Sequence, residues 1–312
     1  MFIVRLGTLI LGWLLLGLFT IPTAHAQGDG ARNYQSVPDG SRSFTVFGIF
    51  ARGNQAADQS APVQGAEVDA YLSVLQYMQA FNLGGKQLQA FAMLPFGEAN
   101  GTAPIHGEGK LSVTNSGLAD AQIGAMLGLI GAPALSPKEY ADYQPGFTLG
   151  ALAKLYMPTG EYDASKPLNL GTNRWALQLG APMVKYIGKS LLDPSLTSIE
   201  FSPSISFFTN NNAPFRANTK HQDPLAKFEG HVTHNLTSSF WISADAFHVR
   251  GGETVTDGVR DNNSQRWWGL GGTGGFALTD ALSGAITFGK VVRRNPAALE
   301  AQAVRADLMF AF

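Results

Sequence analysis

From Ser198 to Phe208 the chain alternates without interruption: Ile199, Phe201, Pro203, Ile205 and Phe207 take one parity, and Ser198, Glu200, Ser202, Ser204 and Ser206 take the other. A strand sends successive side chains to opposite faces, so this segment makes one apolar face and one polar face. The pattern recurs. Phe147, Leu149, Ala151, Ala153 and Leu155 oppose Thr148, Gly150, Leu152, Lys154 and Tyr156, and Ala226, Phe228, Gly230 and Val232 oppose Lys227, Glu229, His231 and Thr233. The ionisable groups keep to one face. Such segregation is required if the other face meets hydrocarbon, where a lysine or arginine near the midplane costs about 2–4 kcal/mol.

Composition and termini agree with that reading. Hydrophobic residues make up 45% and charged residues 14%, against about one quarter charged in an ordinary soluble domain. A net charge of -1 supplies no basic face for nucleic acid, and the absence of cysteine excludes disulfides and thiolate metal sites. At the amino terminus, Arg5, the apolar run Leu9 to Ile21 and the small-residue site Ala24-His25-Ala26 predict a signal peptide over residues 1–26 and a mature chain from Gln27. That run falls short of the roughly 20 apolar residues of a spanning helix, and no later stretch approaches that length. Membrane insertion is therefore expected through strands, and only a closed barrel satisfies strand backbones in lipid.

Twelve segments fit the pattern, near 42–51, 67–80, 86–95, 119–130, 146–157, 173–186, 197–208, 225–236, 239–250, 265–278, 282–292 and 301–312. An even number suits a single-chain bacterial barrel. The fold expected is all-β, a transmembrane antiparallel up-and-down β-barrel over residues 41–312, preceded by a periplasmic or lumenal segment, 27–40. Compact turns follow even strands, and long polar loops follow odd ones: Gly53 to Gly65, Gly97 to Gly117, Thr159 to Thr172, Thr209 to Pro224 and Gly251 to Ser264. With both termini in the periplasm, the long loops face outward. Ser136-Pro137-Lys138-Glu139 predicts a capped short helix in one inner turn. Around Gln76 the alternation breaks, which predicts a bulge or a shifted boundary. The last strand carries Val304, Ala306, Leu308, Phe310 and Phe312 on its outward face, a terminal aromatic pattern suited to the barrel-assembly machinery.

Four motifs carry a family resemblance: Gly30-Ala31-Arg32-Asn33-Tyr34, Gly117-Leu118-Ala119-Asp120-Ala121-Gln122, Met157-Pro158-Thr159-Gly160-Glu161-Tyr162-Asp163 and Asn169-Leu170-Gly171-Thr172-Asn173-Arg174-Trp175. In these the chain resembles the MetA-pathway of phenol degradation family, transporter-like β-barrels of the outer membrane. The resemblance implies uptake of aromatic or other hydrophobic compounds and transfers no catalytic residues.

Other motifs have simpler readings. Gly269-Leu270-Gly271-Gly272-Thr273-Gly274 matches a dinucleotide fingerprint but lies inside a strand, where glycine serves close packing. Gly188-Lys189-Ser190 lacks the first glycine of a phosphate loop. The odd spacing of His231 and His234 sends them to opposite faces, so they cannot share a metal. Asp257, Asp261, Asn262 and Asn263 lack calcium-loop spacing. Neither a cofactor nor a metal is expected.

Parity then names the lumen candidates: Tyr71, Phe91, Lys154, Tyr156, Glu200 and Lys227, with Glu229, His231, Asp245, Trp267, Arg305 and Asp307. The expectation is a channel or transporter, not an enzyme, passing small hydrophobic or aromatic solutes, with outer-membrane lipids and the assembly machinery as partners. A sealed structural barrel and a lipid-modifying enzyme using His231 with Glu229 or Asp245 are the alternatives. Gln27 to Asp39, polar and glycine-containing, are expected to enter the lumen as a plug.

Overall fold

A computed structural model of the chain describes residues 28–55, 62–63, 65–104 and 109–312, with side chains throughout except at 103 and 104. The expected signal peptide, 1–26, lies outside the described residues.

The barrel starts with β1 (Arg42–Gly53), β2 (Glu67–Leu83) and β3 (Lys86–Pro104). Against β3 lie two strands end to end, β4 (Lys110–Leu118) and β5 (Gln122–Ile130). A short helix, α1 (Pro137–Asp142), leads to β6 (Phe147–Tyr156), then to β7 (Ala176–Gly180) and β8 (Met183–Ile187), again end to end between β6 and β9 (Thr197–Phe208). The remaining wall is β11 (Leu225–Asn235), β12 (Phe240–Gly251), β15 (Gln265–Ala277), β16 (Leu282–Arg294) and β17 (Ala301–Ala311). β17 pairs with β1 from Ala311 opposite Ser43 to Ala301 opposite Gly53, which closes the sheet. With β4/β5 and β7/β8 each taken as one interrupted strand, the wall is a twelve-stranded antiparallel barrel.

Chemistry explains the interruptions. Ala119, Asp120 and Ala121 separate β4 from β5, and Asp120 turns its carboxylate away from the ladder to the loop after β6. Pro182 has no N–H to give, yet its carbonyl still accepts from Gly150 N–H at 2.8 Å, so the wall stays stitched.

Three expectations need correction. No bulge occurs at Gln76, which stands opposite Thr45 on one side and Met93 on the other in unbroken registers, but the boundary is shifted, since β2 runs to Leu83, past the expected end at 80. The sequence pattern breaks there because Gln79 lies on the outward face, accepting from the Tyr77 hydroxyl at 2.9 Å. The register shifts fall instead between Gly128 and Ile130 and between Trp268 and Gly269. Gly97 to Gly117 is not a loop either, because β3 and β4 continue as a hairpin from Phe96 opposite Leu118 to Pro104 opposite Lys110. The two later long loops contain β10 (Lys220–Gln222), β13 (Thr254–Thr256) and β14 (Val259–Arg260), a small sheet of their own.

At the short-turn end, Ser136 caps α1 with the expected capping box. In the β8–β9 turn, the backbone N–H groups of Lys189 and Ser195 and the Ser195 hydroxyl hold the Asp193 carboxyl at about 2. Phe312 is 59% exposed and stacks on Phe310, while its N–H and carbonyl pair with Arg42 across the closing seam.

The outward face is an apolar band that includes Phe44, Ile199, Phe201, Phe207, Ile286 and Leu308. Phe201→Arg should therefore destabilise the barrel in lipid vesicles by about 2–4 kcal/mol in urea unfolding, and Phe201→Leu by much less. Equal losses would contradict a lipid-facing position.

Candidate functional site

The inward face of the barrel is polar and occupied. From Asp39, whose N–H donates to Leu135 O at 2.7 Å, the N-terminal segment runs back into the lumen. Its hinge is held by Ser36 N–H donating to the Tyr186 hydroxyl at 3.0 Å and by the Tyr140 hydroxyl of α1 donating to Ser36 O at 3.0 Å. The Gln87 side chain exchanges hydrogen bonds with the backbone of Val37, and Gln89 donates to Gln35 O at 3.0 Å. These side chains stand in for a neighbouring strand.

Farther in, Glu200 binds the segment twice, accepting from Arg32 N–H at 2.9 Å and from Gln35 Nε2 at 2.8 Å. The Arg32 side chain donates to Thr233 Oγ1 at 3.1 Å and Asn235 Oδ1 at 2.7 Å, and its guanidinium lies 4.4 Å from the centre of the Trp241 ring. Gly275 leaves room for that ring, since a Cβ there would lie 2.1 Å from it. At the deepest described point, Asp29 N–H donates to both Glu229 oxygens, at 2.9 and 3.1 Å. The Asp29 carboxylate accepts from Lys154 and from the Tyr34 hydroxyl, and Arg305 donates to Asp29 O at 3.2 Å.

Most of the candidates named from the sequence meet here. Lys154 is 3% exposed and paired with Asp29, and Lys227 pairs with Glu229 at 2.7 Å. His231 Nδ1 lies 2.8 Å from Asp245 Oδ1, while its Nε2 faces Glu229 Oε2 at 3.7 Å. Arg305 pairs with Asp307 at 2.6 Å and covers the Phe47 ring at 4.1 Å. The Tyr156 hydroxyl donates to Gln178 at 2.9 Å, and the Phe91 ring fills the space that a Cβ on Gly124 would take. Trp267 is inward and 7% exposed. Tyr71 is the exception: it is 51% exposed and stacks on Phe50 of the outward face at 4.5 Å. The parity of β2 is set by Val68, Ala70, Leu72 and Val74, which are buried on the inner side, so the ring falls outside.

His231 and His234 do take opposite faces, the latter meeting Thr197 on the outside. The Ser243 hydroxyl donates to Asp245 and not to the histidine, and the Thr233 hydroxyl pairs with Ser198. Asp257 accepts from Asn218 and Thr219 and ties the two long loops together, while Asp261 accepts from Thr254 and Thr256 within its own loop.

Two cavities flank the segment. One, of about 180 Å3, lies toward the long-loop end among Phe47, Leu72, Leu170, Phe247, Trp267 and Leu299. The other, of about 300 Å3, lies between the segment and the wall, with Phe91, Met78, Met93, Met126 and Met309 on its border. Asp29, Asn33, Met93 and Arg305 border both and form the partition.

Gly28 permits this seating, because a Cβ there would lie 2.0 Å from the Glu229 carboxyl carbon. Gly28→Val should therefore loosen the segment. With Asn33→Cys as the chain's one thiol, its labelling by a water-soluble maleimide should speed up several-fold in the Gly28→Val background. An unchanged rate would show that Gly28 does not control seating.

Among solved structures, the chain is similar to the COG4313 outer membrane channel from Pseudomonas putida F1, at 19% identity and a TM-score of 0.74, over 92% of this chain and 100% of that one. It is also similar to the translocator domain of the autotransporter NalP from Neisseria meningitidis, at 11% identity and a TM-score of 0.49, over 90% of each chain. The first likeness is one of fold. No curated protein matches the chain by sequence. Residues 51–298, most of the barrel, match one family description, and the chain belongs to that family, "Putative MetA-pathway of phenol degradation".

Proposed function

We propose that the protein is an outer-membrane channel, closed at rest by its own N-terminal segment, that passes small apolar or aromatic solutes when the segment withdraws. The observation that carries the reading is the pair of cavities divided by the partition of Asp29, Asn33, Met93 and Arg305. Two of those four residues belong to the segment, so its withdrawal joins the cavities. A twelve-stranded lumen is wider than an eight-stranded one, which side chains nearly fill, and narrower than a porin channel. Passage is thus limited to small molecules.

Solute character follows from the lining. Around the inner cavity, the four methionines are flexible and polarisable, and they adapt to rings of varied shape. The ionised side chains are engaged with one another or with the segment, so they orient the segment more than they attract ions. The short turns and Phe312 face the periplasm in this reading, and the segment enters from that side. The chain is exported with a cleaved signal peptide and inserted through its terminal strand, with lipid around the outward aromatics.

The enzyme reading is weaker because carboxylates occupy both nitrogens of His231, where a hydrolase would set a nucleophile. Planar-bilayer recording separates channel from sealed barrel. Deletion of residues 28–38 should raise single-channel conductance several-fold over the full mature chain. Equal conductance would remove the plug, and no conductance from either form would contradict the channel.

A further inference from the structure

The outer cavity holds an unanswered donor. Trp267 lines it, and among the described residues its buried indole Nε1 has no hydrogen-bond partner. A buried donor left unmatched costs about 1–3 kcal/mol, so its retention calls for a reason. Strand parity puts Trp267 on the inner face, where Phe247, Val249, Val291 and Leu299 pack with it, all apolar. The described wall around the ring supplies no acceptor to this nitrogen. The cavity lining also includes Leu72 and Leu170, beside polar residues such as Gln122, Thr172 and Gln265.

We infer that this cavity is a binding subsite for a neutral, ring-sized apolar molecule with one hydrogen-bond acceptor, a carbonyl, ether or hydroxyl oxygen, which takes the Trp267 Nε1–H. The inference deepens the channel reading and rests on it for its purpose: the subsite selects what reaches the partition. Its volume, about 180 Å3, exceeds the roughly 150 Å3 of a dry apolar cavity that is known to take up benzene. The lining is mixed: Phe47, Leu72, Leu170, Phe247 and Leu299 supply affinity through area removed from water, Gln122, Thr172 and Gln265 make the remainder polar, and the indole supplies orientation. A charged ligand is disfavoured, because Lys227 and Arg305 at the cavity floor already face the carboxylates of Glu229 and Asp307. A ring without an acceptor fits the walls but leaves the donor unmatched.

The test uses the full mature chain in detergent micelles and two probes of similar shape, acetophenone and ethylbenzene, with equilibrium dialysis against protein-free micelles. Acetophenone should bind saturably and more tightly than ethylbenzene. Trp267→Phe, which keeps a ring and removes the donor, should weaken acetophenone about fivefold, the worth of one net hydrogen bond, and leave ethylbenzene unchanged. Equal weakening of both probes, or no saturable acetophenone binding, overturns the inference. A second measurement needs no variant: in 15N-indole-labelled protein, one indole resonance should move to lower field with acetophenone and not with ethylbenzene. Four unmoved or equally moved resonances also overturn it. Conductance of the plug-deleted chain is recorded alongside. If conductance rises while acetophenone does not bind, the subsite fails and the channel stands; if acetophenone binds and no conductance is seen, the channel fails.

Discussion

A buried ammonium on the barrel wall needs a carboxylate, and the N-terminal segment brings it. Lys154 stands on the inner face of β6 at 3% exposure, and the carboxylate it meets is that of Asp29. The wall's own Glu229 is engaged by Lys227 and by the Asp29 N–H. Removing one partner of such a pair leaves an unmatched buried charge, a loss of about 3–5 kcal/mol. The barrel interior is therefore incomplete without the segment. The same constraint fixes which end the segment enters, because Ser36 and Asp39 are tied beside α1 and the short turns.

The long-loop end is organised by a second polar centre, made of the motifs that carry the family resemblance. Asp120, in the break between β4 and β5, accepts from Gly160 N–H at 3.0 Å, Thr172 N–H at 2.9 Å and the Thr172 hydroxyl at 2.5 Å. Gly160 and Gly171 pass so closely that a Cβ on either would lie 2.7 Å from the other's backbone. This clasp folds the β6–β7 loop inward and delivers Leu168 and Leu170 to the wall residues Ala51, Val68, Ala70 and Leu72. Those leucines narrow the outer end. Three of the motifs thus shape the cavity at the long-loop end, while Gly30 to Tyr34 shapes the partition.

The wall was legible because lipid imposes a strict parity: wherever one face was uniformly apolar, as in β9, every inward residue was readable in advance. Parity failed at β2, where Tyr71 and Leu72 are both apolar enough for either face, and only packing against the β6–β7 loop decides between them. The β3–β4 hairpin was missed because its polar, glycine-containing sequence resembles a loop, although its backbone groups pair beyond the barrel rim. The segment itself was visible as a polar stretch, but its partners were not. Asp29 finds Glu229 across 200 positions of sequence and Lys154 across 125, separations that no local pattern encodes. Asp120 had no signal except its place in a motif.

In the proposed reading a short, charge-matched segment closes an otherwise open lumen from the short-turn side. Adding the isolated segment back tests this most directly. A synthetic peptide of residues 28–39, applied to the segment-deleted channel in a planar bilayer, should block current from one side of the membrane only, and the same peptide with Asp29→Lys should not. Block from both sides alike, or equal block by the two peptides, would contradict the account.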